Sequence, residues 1–117
     1  RLKQKQKQAK KTIVLPETED SRTYEAAEAV LKEGTDNLIL IGSEEEIAKN
    51  KGSFDISGAT IVDPATSDKT EAYIAKLVEL REKKGMTEEK ARELLLQHDT
   101  YYGVMMVKMG DADGMVS

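Results

Sequence analysis

The sequence predicts an α/β fold of three layers, with helices on both faces of a mostly parallel sheet. Three observations carry this. Short strand-like runs at 12–15, 37–41 and 59–62 alternate with longer stretches of helical periodicity. Most of the short runs are apolar on both faces, the pattern of strands covered above and below. Glycine or proline closes most elements, as chain-stopping residues should.

The elements follow in order. Residues 12–15 form the first strand. Ser21–Glu33 is a helix with Thr23, Ala26, Ala27, Val30 and Leu31 along one face, stopped by Gly34. NLILI at 37–41 is the second strand. Ser43 caps a helix over 44–51 whose first turn holds Glu44, Glu45 and Glu46, at the end where acids complement the helix dipole. ATIV at 59–62 is the third strand, ended by Asp63-Pro64. Ser67 or Asp68 caps a long helix that runs to about Lys84 and closes at Gly85, and Thr87 caps another over Glu88–Gln97. Residues 100–109 are apolar nearly all round, so this helix is expected to be buried. Gly110-Asp111 turns the chain, and ADGMVS at 112–117 opens a fourth strand. The chain stops inside that strand and begins at Arg rather than Met. The expectation is therefore the first portion of a longer α/β protein. Residues 1–10 are a basic N-terminal helix or tail, and 11–117 are part of a first domain whose partner domain is absent.

Composition narrows the function. With 117 residues, 38% hydrophobic and 34% charged, the chain supports one modest core. It has no Trp and one Phe, a poor supply of platforms for stacking nucleic-acid bases. No apolar run has the length of a membrane span. The absence of Cys excludes disulfides and thiolate chemistry by this chain, and fits a reducing cytosol. Six cations precede the first acid, Glu17, leaving 12 cations against 22 acids in the remainder. A basic arm can touch nucleic acid or membrane. This one has few apolar anchors and is rich in the helix formers Lys and Gln, so a solvated helix or tail is the expectation, with neither partner.

No glycine-rich nucleotide loop is present. Gly110–Gly114 (GDADG) lacks the third ligand position and the downstream glutamate of a calcium loop, so no metal site is expected. His98 stands alone and reads as a surface or capping residue. Met105, Met106 and Met109 read as core.

Two arginines stand out. Ile74, Leu77, Val78 and Arg81 fall at i, i+3, i+4 and i+7 of the long helix, opposite Lys76, Glu79, Glu82 and Lys83. Arg81 thus lies on the stripe that should be buried, where an unpaired guanidinium is costly. It either pairs at the helix end or snorkels out, or it presents its fork to a bound anion. Arg22 is a cation in a first turn, against the helix dipole. It either bridges to Glu19, Asp20 or Glu25, or faces a bound anion together with the free N–H groups of its helix. That helix leaves the C-terminal end of the first strand, the edge where parallel sheets place ligands. Two such arginines suggest a phosphate-bearing substrate.

LPETEDSRT at 15–23, IVDPATSDK at 61–69, ELREKKGMT at 79–87 and YYGVMMVKMGDADGMVS at 101–117, in this order, resemble the N-terminal part of the phosphate acetyltransferase (phosphotransacetylase) family. The resemblance runs from about Lys11 to the last residue. It implies an isocitrate/isopropylmalate-dehydrogenase-like α/β fold, incomplete here. It also implies reversible acetyl transfer between coenzyme A and inorganic phosphate, giving acetyl phosphate. Further implications are a cytoplasmic location, a homodimer at full length, and no metal or cofactor, with coenzyme A as substrate. Arg22 and Arg81 match the family's substrate-binding arginines, and Ser117 would open a glycine-containing loop at the site. The aspartate proposed as base for the thiol lies outside this chain, so no catalytic residue is assigned here and the chain alone is expected to be inactive. Phosphate butyryltransferases and the acyltransferase-like domain fused to some malic enzymes share parts of the pattern. A free-standing α/β module that only binds an anion is the alternative of another class.

Overall fold

The computed structural model describes residues 10–116. The basic segment before Lys10 and Ser117, expected from the resemblance to belong to the site, lie outside the described residues. Strands and helices alternate: β1 (Lys11–Leu15), α1 (Ser21–Glu33), β2 (Asp36–Ile41), α2 (Glu44–Asn50), β3 (Thr60–Val62), α3 (Thr70–Arg81), a 3-10 turn (Glu82–Lys84), α4 (Glu88–Gln97), α5 (Asp99–Lys108) and β4 (Gly114–Met115). The strands lie in the order β3-β2-β1-β4, and every pairing is parallel. Val14 sits opposite Ile39 and Met115, and Leu15 opposite Leu40.

Side chains alternate across the sheet, and the core divides accordingly. Val14, Ile39 and Ile41 pack with Tyr73, Ile74 and Leu77 of α3, Leu95 of α4, and Tyr102, Met105 and Met106 of α5. Leu15, Leu38 and Leu40 point the other way, onto Tyr24 and Ala27 of α1 and Ile47 of α2. Burying each large apolar side chain contributes about 1.5–3 kcal/mol. The sheet therefore has α1 and α2 on one face and α3, α4 and α5 on the other, as the two-sided apolar strands predict.

Caps fix the helix ends. Ser43 and Thr87 accept from the backbone N–H groups of Glu46 and Lys90, as expected. Gly34 and Gly85 end their elements at φ 70° and 86°, in the left-handed region that suits glycine.

Four details differ from the sequence reading. On α1, Tyr24 is fully buried and Ala26 exposed, because the Tyr24 ring enters the core while its hydroxyl donates to the Thr18 carbonyl. The α3 helix begins only at Thr70. Ser67 caps a local turn by accepting from the Lys69 N–H, and Thr70 ties back to the Pro64 carbonyl. It also ends at Arg81, where the backbone turns to φ −123° and ψ 16° and enters the 3-10 turn. Lastly, α5 is not buried all round. Tyr102, Gly103, Met105 and Met106 face the core, whereas Tyr101 and Val104 are 45% and 42% exposed. An all-apolar helix needs cover on every side, and among the described residues α5 is covered only by the sheet, α3 and α4.

Gly103 marks the closest approach of α5 to the sheet. A Cβ there would lie 2.7 Å from Met115 Sδ and 3.3 Å from Val14 Cγ1. Glycine lets the helix settle directly over β1 and β4.

Candidate functional site

From β1 the chain steps outward to β2 and β3, then returns over the opposite face to place β4 on the other side of β1. The strand order thus reverses between β1 and β4. In open parallel sheets a crevice forms outside the strand C-termini at such a point. A cavity of about 320 Å³ lies there, lined by Leu15 at the end of β1, Glu17, Asp20, Arg22, Thr23 and Ala26, and by Val116 just after β4. A hollow of about 390 Å³ elsewhere is lined by Glu28, Lys32 and Asp55, at the far end of α1 from the strand C-termini.

Asp20 is the N-cap of α1 and holds Arg22 in two ways. Its Oδ1 accepts from the Arg22 backbone N–H at 2.9 Å and from Nε at 3.2 Å, while Oδ2 accepts from the terminal guanidinium nitrogen at 2.9 Å. The carboxylate so held titrates below its ordinary range, chiefly because of the guanidinium hydrogen bonds, and Arg22 is raised in turn by Asp20. Of the two readings of Arg22, the structure shows the local bridge, made to Asp20. The Arg22 side chain is nevertheless 85% exposed. An exposed pair of this kind has little net strength, and a phosphate dianion offers the same fork-accepting geometry with more charge.

Arg81 is exposed, not buried. The helical count assumed a regular helix through Lys84, but Arg81 is the last residue of α3, and there its side chain stays beside Leu77 while reaching solvent. It lines a second cavity, of about 340 Å³, between α3 and α5 with Leu77, Leu80, Tyr101, Val104 and Lys108. Among the described residues neither Arg81 nor Lys108 forms an ion pair. The two arginine cavities share no lining residue, so the structure does not bring Arg22 and Arg81 together.

Asp99 went unnoticed in the sequence. It is half-buried at the start of α5, and its carboxyl is pushed up to about 6 from 3.8, first by burial and then by Glu19, Glu46 and Asp63, with His98 opposing. An acid in a first helical turn ordinarily reads as a dipole partner, and only the fold reveals the three acids around it. It lines neither arginine cavity. Its folded pKa lies above its unfolded one, so its contribution to stability is full below about pH 4 and is lost as pH rises through about 6. Asp99→Asn should flatten that loss and raise stability at neutral pH by about 1–2 kcal/mol, after discounting for solvent screening. Urea unfolding at about pH 5 and pH 7 measures both. Among the described residues no group of three or more His, Asp or Glu side chains is placed to hold a metal ion, and no helix is long and apolar enough to cross a membrane.

The whole sequence, residues 1–117, matches the family described as phosphate acetyl/butaryl transferase. The chain belongs to this family. It is 50% identical over 107 residues to the phosphate acetyltransferase of Acetivibrio thermocellus, covering 92% of this chain and 32% of that protein. It is 48% identical over 114 residues to that of Thermoanaerobacterium thermosaccharolyticum, covering 97% and 34%. The fold superposes on EutD phosphotransacetylase from Staphylococcus aureus with a TM-score of 0.81 at 38% identity, covering 92% of this chain and 33% of that one. A phosphotransacetylase from Streptococcus pyogenes gives 0.81 at 36% identity, with the same coverage. This phosphate acyltransferase chain therefore spans about a third of the length of the relatives it matches.

Proposed function

We propose that the chain is the N-terminal portion of an enzyme that transfers an acetyl group reversibly between coenzyme A and inorganic phosphate. The observation that carries the reading is the Arg22 cavity, set at the switch point of a phosphate acyltransferase fold. In the direction of acetyl-CoA synthesis, the thiol sulfur bonds to the carbonyl carbon of acetyl phosphate. The bond between that carbon and the bridging oxygen breaks, and phosphate leaves with the bridging oxygen and the bonding pair. Arg22, released from Asp20, neutralises the charge that gathers on the departing phosphate. The thiol proton goes to a base that the remaining part of a family-length enzyme supplies. The reaction balances without a redox group, and coenzyme A enters as substrate.

Arg81 and Lys108, beside the exposed rings and methyls of Tyr101 and Leu80, suit the phosphate-bearing end of coenzyme A. The Arg22 cavity holds one cation against the carboxylates of Glu17 and Asp20. Further cations from the rest of the enzyme are needed to hold a phosphate dianion firmly, so the chain alone is inactive on this reading. Ser117, outside the described residues, is assigned to phosphate binding by the family resemblance alone. The names of the relatives favour acetyl over butyryl as the acyl group. A cytoplasmic homodimer is the natural setting for such an enzyme at full length.

The test joins this chain to the C-terminal two-thirds of the Acetivibrio thermocellus relative and follows phosphate-dependent consumption of acetyl-CoA. The chimera is expected to be active and the 117-residue chain inactive. A folded chimera without activity overturns the proposal.

A further inference from the structure

The β4 strand has two residues, too few to fix its own register against β1. Yet Val116, which follows it, forms a wall of the Arg22 cavity. Something else must align it.

The alignment comes from the turn before β4, which the Asp111 and Ala112 N–H groups join to the Met106 carbonyl of α5 and which is tied further toward β1 and toward α3. Toward β1, the Asp113 N–H donates to the Thr12 carbonyl at 2.7 Å, and the Asp113 carboxylate accepts from the Thr12 N–H at 2.7 Å. Toward α3, Asp111 Oδ2 accepts from the Tyr73 hydroxyl at 2.5 Å, and Oδ1 from Lys69 Nζ at 3.1 Å. Tyr73 is fully buried, and its ring meets that of Tyr102 edge to face with centroids 5.0 Å apart. Tyr102 in turn shares a 2.8 Å hydrogen bond with Thr70 at the start of α3. Burial and the neighbouring carboxylate raise the Tyr73 phenol, while its hydrogen bond lowers Asp111. The pair therefore stays as neutral donor and charged acceptor at neutral pH.

We propose that Lys69, Tyr73 and Asp111 act as positioning residues, a clamp that sets the register of β4 on β1 and thereby brings Val116 to the Arg22 cavity. The clamp links the start of α3 to the strand at the switch point, across a helical face that makes no other contribution to that cavity. Loosening it should free β4 without disturbing the β1–β2 pairing.

Amide hydrogen exchange in the 117-residue chain reads this directly, because the Val116 N–H donates to the Val14 carbonyl and the Asp113 N–H to Thr12. Tyr73→Phe and Asp111→Ala should each speed exchange at Asp113 and Val116 by about tenfold or more, while Leu38 and Leu40 in β2 keep their rates. Asp111→Asn, which keeps an acceptor for the Tyr73 hydroxyl, should restore much of the protection. Lys69→Met, at an exposed cation, cannot unfold the core and should give a smaller rise at the same two amides. Unchanged exchange at Asp113 and Val116, or an equal rise in every strand, overturns the clamp. The readout does not depend on phosphate, so its failure is distinct from that of the functional reading, which a folded but inactive chimera overturns.

Discussion

Arg22→Ala in the active chimera is expected to lower kcat/KM for phosphate by about 100-fold, the scale on which single charge-stabilising donors act. Helix α1 should survive, since Asp20 still caps it through a backbone N–H that the substitution leaves in place. Arg22→Lys should fall between wild type and alanine, because an ammonium keeps the charge and loses the planar fork. A folded alanine variant with wild-type kcat/KM would show that Arg22 only pairs with Asp20. Steady-state kinetics against phosphate and acetyl-CoA distinguish an effect on phosphate from a general loss.

The largest effect on stability is expected at Tyr102. Its side chain is fully buried, touches Tyr73 edge to face, and shares a hydrogen bond with Thr70. Tyr102→Ala should cost about 3–5 kcal/mol, from lost burial together with the cavity left behind. Domains of this kind hold about 5–15 kcal/mol in all, so the variant would be close to unfolding at ordinary temperature. Tyr102→Phe should cost only about 1 kcal/mol, since Thr70 keeps its bond to the Pro64 carbonyl. Urea unfolding followed by circular dichroism separates the two. Equal costs would mean that the hydroxyl, not the packed ring, carries the site.

What could be seen in advance was mostly local. Ser43, Thr87, Gly34 and Gly85 act within one turn of themselves: the two hydroxyls start their helices, and the two glycines, free of a Cβ, end theirs in the left-handed region. The parallel sheet was visible because both faces of a covered strand must be apolar. The misreadings came from contacts distant in sequence. Tyr24 displaced Ala26 from the core because a loop carbonyl at Thr18 accepts its hydroxyl. The periodicity that put Arg81 inside could not register that α3 ends there. Tyr101 and Val104 carry the same apolar character as Met105, yet only the latter has a neighbour to bury it.

The candidate site divided the same way. Arg22 was conspicuous because it opposes a helix dipole, and its pairing with Asp20 was one of the readings left open. Nothing local gave Asp99 its three acidic neighbours, or showed that Asp111 reaches back to Tyr73 and Lys69 on α3.

The central claim is that the Arg22 fork, held by Asp20 in this structure, passes to phosphate. Calorimetric titration of phosphate into the chimera and its Asp20→Asn variant tests it most directly. Asparagine caps a helix as well as aspartate does, so α1 stays intact while the competing charge is removed. Tighter phosphate binding in the variant, lost again when Arg22→Ala is added, is the predicted result. Unchanged affinity in both would contradict the account, because phosphate would then bind without the arginine at the end of β1.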